Sequence, residues 1–179
     1  MKVYLASYAM MTMGKISKNE GGELAGKRAV FIPTAGDPYE NKDFVEADKI
    51  ALQKYGLEVT DLDLKNKTKE EIDESLALAD ILLVAGGDTF YLMEKLKKSG
   101  ADRAIKKFIS RGGIYIGSSA GSIICCPTIE GAEKFDNPNL APNLENFNGM
   151  GVFDEVVIPH TQKEKYFERI KENYRETYF

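Results

Sequence analysis

An unbroken apolar run, Ile81-Leu82-Leu83-Val84-Ala85, lies between Asp80 and the pair Gly86-Gly87. A run this short and continuous is typical of a strand buried on both faces, as in the centre of a parallel sheet. Arg28-Ala29-Val30-Phe31-Ile32 has the same character and is closed by Pro33. Residues 3–7 read as a first strand, and Ile114-Tyr115-Ile116 as another. Residues 57–64 alternate Leu and Val with polar side chains, which fits a strand nearer the edge. Val156-Val157-Ile158 is expected to form a last short strand, ended by Pro159-His160.

Helical patterns fill the spaces between these runs. Residues 41–55 carry Phe44, Ala47, Ile50, Ala51 and Leu52 on one face and stop at Gly56. Thr68 and Glu71 have capping-box spacing ahead of Ile72 and Leu76. After Asp88-Thr89, either of which can cap, Leu92, Met93 and Leu96 mark a helix that Gly100 ends. Ile105, Phe108 and Ile109 mark the next, and a short helix is expected over 120–126, stopped by Pro127. Residues 8–27, with Gly14, Gly21, Gly22 and Gly26 among charges, read as a loop or an irregular helix. Residues 128–154 are polar and rich in Asn, a long loop at the active edge of the sheet. Phe167, Ile170, Tyr174 and Tyr178 have helical spacing in an amphipathic tail. Strands alternating with helices specify an α/β fold, a three-layer α/β/α sandwich with a mostly parallel sheet. Residues 1–179 read as a single domain without internal repeat.

Composition narrows the partners. A net charge of −4, with acids and bases well mixed, offers no basic tract for nucleic acid. No apolar run approaches the length needed to span a bilayer, and the N-terminal residues lack a clear signal-peptide cleavage pattern. Cys125 and Cys126 are adjacent in a segment expected to be buried. They suggest neither a disulfide framework nor a metal site, and they fit a cytoplasmic protein.

The chemistry gathers around Gly117-Ser118-Ser119-Ala120-Gly121. An apolar strand enters this segment and a helix leaves it, the pattern of a nucleophile elbow with Ser119 at its apex. Gly117 and Gly121 would let neighbouring elements approach a strained turn. The helix N-terminus would favour developing negative charge beside the hydroxyl. His160, the single histidine, follows a short apolar run and a rigid proline at the same sheet edge, where it can serve as the base a serine needs. Gly86-Gly87 is first of all a tight turn between strand and helix. Its glycines would also let a backbone N–H point into the site and form an oxyanion hole with the N–H of Ala120. Glu130, Glu133, Asp136 and Glu145 lie between Ser119 and His160 as acids that could orient the imidazole.

In order along the chain, Phe31-Ile32-Pro33-Thr34-Ala35, Gly86-Gly87-Asp88-Thr89-Phe90, Tyr115-Ile116-Gly117-Ser118-Ser119-Ala120-Gly121, Cys126-Pro127-Thr128-Ile129 and Pro159-His160 resemble the signatures of the peptidase E (aspartyl dipeptidase) and cyanophycinase family of serine peptidases. The resemblance covers nearly the whole sequence. It implies a fold like that of class I glutamine amidotransferases, with Ser119 as nucleophile, His160 as base, and Gly87 and Ala120 as oxyanion donors. It implies Asp136 as the third member of the triad, with Glu133 as the rival. The implied substrate is a small peptide, without metal or organic cofactor.

Two features depart from that family. Members preferring an N-terminal Asp carry an Arg-containing loop soon after the histidine, whereas Thr161-Gln162-Lys163-Glu164-Lys165 has none, and Lys163, Lys165 and Arg169 are the substitutes at hand. The chain also stops 19 residues after His160, where family members continue with further elements. That is expected to leave a sheet edge or apolar face less covered, favouring a homodimer. Two other readings stand beside a dipeptidase. One is a non-catalytic binding or sensor protein on an amidotransferase-like scaffold. The other is an esterase using the same elbow, disfavoured by the short stretch between Ser119 and His160.

Overall fold

A computed structural model describes residues 1–161 and 164 of the chain. Five parallel strands form one sheet: β1 (Lys2–Ala6), β2 (Arg28–Ile32), β3 (Glu58–Asp61), β4 (Ile81–Val84) and β5 (Ile114–Ser118), in the spatial order β1-β5-β4-β2-β3. Pairing is in register along the centre, with Ala29 opposite Ile81 and Val84 opposite Gly117. β3 lies at an edge, as its alternating pattern anticipated.

The continuous apolar runs of β2 and β4 are explained by burial on both faces. Val30, Ile32, Leu82, Val84 and Tyr115 belong to one core cluster, while Ala29, Phe31, Leu83 and Ile116 belong to another. Alternate side chains of a strand point to opposite faces, so each strand feeds both cores. The first core is covered by α3 (Lys69–Leu78), α4 (Thr89–Ser99) and α5 (Ala101–Ser110), through residues such as Ile72, Leu96 and Phe108. The second is covered by α1 (Ala9–Asn19) and α2 (Asp43–Lys54), through Met13, Ile16 and Leu52. The three-layer α/β/α sandwich is therefore built as expected.

Helix ends follow their local chemistry. Thr68 and Glu71 form a complete capping box on α3. Asp88 caps α4 by accepting from the Tyr91 N–H at 2.8 Å, and Gly100 ends that helix in a left-handed conformation. The elbow helix α6 (Ala120–Ile123) is shorter than the sequence suggests. Beyond it the chain turns to run antiparallel to itself, where Met150 donates to Ile124 and Gly149 to Pro127.

Two expectations need correction. Residues 8–27 contain a regular helix, α1, whose buried side chains Ala9, Met13 and Ile16 recur at helical spacing. Gly14 is exposed within it, and Gly21 and Gly22 lie beyond its end. Val156-Val157-Ile158 is not a strand. The Val157 N–H is directed to the Cys126 sulfur at 3.2 Å, and Val156 is exposed. A β-branched run without a ladder partner has nothing to make it a strand. The amphipathic helix expected over the tail, with Lys163, Lys165 and Arg169, lies outside the described residues. No helix among the described residues is long and apolar enough to cross a membrane.

Candidate active site

The C-terminal ends of β1, β4 and β5 converge on one cavity of about 320 Å³, lined by Ser7, Gly87, Ser119, Asp136 and His160 among others. In open α/β sheets this is the edge where ligands bind.

Ser119 sits between β5 and α6 with φ 48° and ψ −108°. A positive φ on a side chain with a Cβ is strained and persists only where neighbours enforce it. The Ser119 N–H donates to the Ala6 carbonyl at 2.8 Å, and its carbonyl accepts from the N–H groups of Ser122 and Ile123. The turn is also packed too closely for side chains at its flanking glycines. A Cβ on Gly117 would collide with the Gly121 backbone, and one on Gly121 with the Val84 carbonyl. The glycine pair anticipated from the sequence therefore serves close approach of backbones.

The Ser119 hydroxyl lies 2.9 Å from His160 Nε2, across 41 residues of sequence. His160 itself has φ 64°. Its backbone N–H donates to the Ser7 hydroxyl at 2.9 Å, and its ring meets that of Tyr8 edge-on, with centroids 4.7 Å apart. The segment just after β1 thus holds the histidine. The same segment is anchored to the elbow, because the Ala9 N–H donates to the Ser118 hydroxyl at 3.1 Å.

Asp48 adds a second anchor. Its carboxylate accepts from the Met10 N–H at 2.9 Å, and the residue is 2% exposed. Burial pushes its carboxyl above the ordinary carboxylate range, partly offset by hydrogen bonds from Ser118 and Met10. Ser7, Tyr8 and Asp48 were not identified from sequence. Each acts through contacts between distant segments, and Asp48 lies inside a helix whose apolar spacing masks it.

Asp136 lines the same cavity. Its Oδ2 accepts both the backbone N–H of Thr89 at 3.0 Å and the Thr89 hydroxyl at 2.5 Å. The carboxylate therefore sits at the N-terminus of α4, where a negative charge is favoured. Burial nevertheless pushes its pKa up to about 6. The Thr89 bonds work against that rise, and the nearby Asp88 adds to it. Asp88 also accepts from the Asn137 N–H at 2.9 Å, so the start of α4 grips the long loop on both sides of Asp136. Glu133 instead accepts from the Gly131 N–H within its own exposed turn. Glu130 and Glu145 are exposed.

Gly87 has φ 142°, and the N–H of the next residue, Asp88, donates to the Ala35 carbonyl at 2.8 Å. The turn passes beside the elbow, since a Cβ on Gly86 would stand 3.2 Å from the Ser119 Cβ. Ala120, the other expected oxyanion donor, is the first residue of α6. Among the described residues, no group of His, Cys, Asp and Glu is arranged to hold a metal ion.

Peptidase family S51 matches the sequence over residues 7–178. An uncharacterized peptidase of Listeria innocua is 40% identical over 137 residues, which span 76% of this chain and 66% of that relative. Peptidase E of Salmonella arizonae is 34% identical over 139 residues, 77% of this chain and 57% of that enzyme. The chain thus spans less than two thirds of the length of these relatives. A 1.5 Å crystal structure of a Listeria monocytogenes protein assigned provisionally to peptidase E superimposes with a TM-score of 0.88 at 34% identity, covering 95% of this chain and 86% of that one. A peptidase from an acI-B1 Actinobacterium, 20% identical with a TM-score of 0.69, shares the fold. The chain belongs to peptidase family S51.

Proposed function

We propose that the protein is a serine-type peptidase that cleaves short peptides, dipeptides among them, by acyl transfer at Ser119. The observation that carries this reading is the 2.9 Å contact between the hydroxyl of a strained elbow serine and His160 Nε2. A serine hydroxyl is a weak nucleophile until an adjacent base removes its proton.

In the proposed cycle His160 is neutral, with its proton on Nδ1, so that Nε2 can accept. Ser119 Oγ bonds to the substrate carbonyl carbon as its proton passes to Nε2. The carbonyl π electrons move onto oxygen, where the N–H groups of Gly87 and Ala120 stabilise the oxyanion. Collapse breaks the C–N bond, and the imidazolium gives its proton to the leaving amine. Water then attacks the acyl carbon as its proton passes to His160, and collapse breaks the C–O bond to Ser119 Oγ, which takes the proton back from the imidazolium as the acid product leaves. The charge of Asp136, in the same cavity, favours the imidazolium formed in both halves of the cycle.

Hydrolysis of a dipeptide panel by the wild type and by Ser119→Ala tests this reading. Removal of the hydroxyl is expected to reduce kcat by about 10⁴-fold or more. His160→Gln is expected to do the same. Unchanged hydrolysis in a folded Ser119→Ala protein would remove the elbow from the chemistry.

A further inference from the structure

The chain that leaves the elbow helix also carries the segment that brings His160 back to it. Met150 donates to the Ile124 carbonyl at 2.7 Å, Gly151 to that of Cys126 at 2.9 Å, and Val152 to that of Cys125 at 2.8 Å. Over the next residues, 153–159, the backbone makes one hydrogen bond among the described residues: the Val157 N–H donates to Cys126 Sγ at 3.2 Å. Asp154, Glu155 and Val156 are exposed, Pro159 is buried, and His160 follows it.

The sulfur is itself held by the elbow. The Cys126 N–H donates to the Ile123 carbonyl at 3.0 Å, and the S–H is directed to the Ser122 carbonyl at 4.0 Å. The residue is fully buried and burial raises its pKa, so at neutral pH it is a thiol with one weak donor and one weak acceptor. Ser119 stands at the N-terminus of the same helix, α6. Nucleophile and histidine segment are thus tied to one short element. Val157 lies three positions before His160, and Pro159 between them has a ring-locked φ. A shift of Val157 is therefore passed on to the imidazole rather than absorbed on the way.

Resting on the peptidase reading, we infer that Cys126 is a positioning residue for His160: its sulfur receives the Val157 N–H and so helps set the contact between the imidazole and Ser119 from the elbow's own helix. Ser7 holds the histidine from the end of β1. Cys126 holds the approach to it from α6.

Three measurements test this, two of them without turnover. In the wild type, amide hydrogen exchange at Val157 is expected to be about tenfold or more slower than at exposed Val156, and equal rates would overturn the bond. The chain has a single histidine, so its imidazole gives one set of NMR signals. Cys126→Ala is expected to move that signal toward the position of free histidine, and Cys126→Ser, which keeps an acceptor, to return it most of the way. Leu76→Ala, which opens a cavity under α3, should lower the melting temperature and leave the signal in place. An unmoved signal in folded Cys126→Ala, or an equal movement in Leu76→Ala, would overturn the assignment. In peptide hydrolysis, Cys126→Ala is expected to lower kcat about tenfold with KM within about twofold, and Cys126→Ser to recover most of the loss. An unchanged kcat in Cys126→Ala would also overturn it. If the wild type cleaves no peptide while Cys126→Ala still moves the histidine signal, the peptidase reading fails and the positioning stands.

Discussion

The backbone N–H of His160 donates to the hydroxyl of Ser7 at 2.9 Å, joining residues 153 positions apart. His160 holds a positive φ without being glycine, a conformation that needs support from its surroundings. Ser7 supplies part of that support, and Tyr8 packs against the imidazole. Ser7 is therefore a positioning residue for the proposed base. Ser7→Ala is expected to lower kcat about tenfold with little change in KM, because small misplacements of a catalytic group are costly. Ser7→Thr, which keeps the hydroxyl, should recover most of the loss. Measured kcat values equal to wild type in Ser7→Ala would show that His160 is held without it.

Asp136 has a predictable stability signature. Its folded pKa, pushed up to about 6, lies above the ordinary 3.8. Between those values the folded state binds more protons than the unfolded state, so the stabilisation from protonated Asp136 is present below about pH 4 and lost as pH rises through about 6. At pH 7.5 the buried charge costs on the order of 3 kcal/mol. Asp136→Asn keeps an oxygen that can accept from Thr89, so it should melt higher than wild type at pH 7.5, with the advantage vanishing near pH 4. If the charge supports the imidazolium, the same variant should lose about 10²-fold or more in kcat. Thermal melts across pH, paired with turnover, separate a charge retained for function from one that merely fills space. A lower melting temperature at pH 7.5 would contradict the assigned cost.

Much of the framework was legible because it depends on local pattern. β2 and β4 announced themselves as unbroken apolar runs, since central parallel strands are buried on both faces. The Ser119 elbow was legible because a strand, a glycine-flanked serine and a helix start fall within a few residues. The pairing with His160 could be anticipated because the chain offers a single imidazole. α1 was obscured by the interior Gly14 and the glycines that follow it. The strand expected at 156–158 failed because an apolar run carries no information about whether a ladder partner exists. Ser7 and Asp48 could not be read at all: their roles depend on bringing β1, α2 and the histidine loop together, and nothing in their local sequence marks that meeting.

The Gly87 turn admits no side chain. A Cβ there would collide with the backbone of Ala35 and Gly36, and its φ of 142° is already unfavourable for any other residue. Gly87→Ala must therefore move backbone on one side of the proposed oxyanion hole. A loss of about 3 kcal/mol or more is expected, with activity lost in whatever fraction folds. Gly112 provides the contrast. Its φ is 95°, but a Cβ there meets nothing within 4 Å, so Gly112→Ala should cost about 1 kcal/mol and leave kcat/KM unchanged. Denaturant unfolding of both variants checks the difference, and equal costs would mean that φ, rather than the contact with Ala35, limits position 87.

Cys125 tests how firmly the elbow layer is closed. Its thiol is buried beneath α6 with 0% exposure, and burial pushes its pKa up to about 12. A thiol in that state offers almost no thiolate at neutral pH, and thiolate is the reacting form. Cys126 is also fully buried, and its pKa is raised by burial as well. Both cysteines are free. Native protein at pH 8 should therefore react with a disulfide reagent only as fast as it opens, while denatured protein should titrate both thiols at once. Because Cys125 packs in the core that includes Ala120 and Ile123, its exposure reports opening next to Ser119 itself. Rapid native labelling of Cys125 would mean that the elbow layer opens far more readily than its packing implies, and Ser119 could not then be held in its strained geometry.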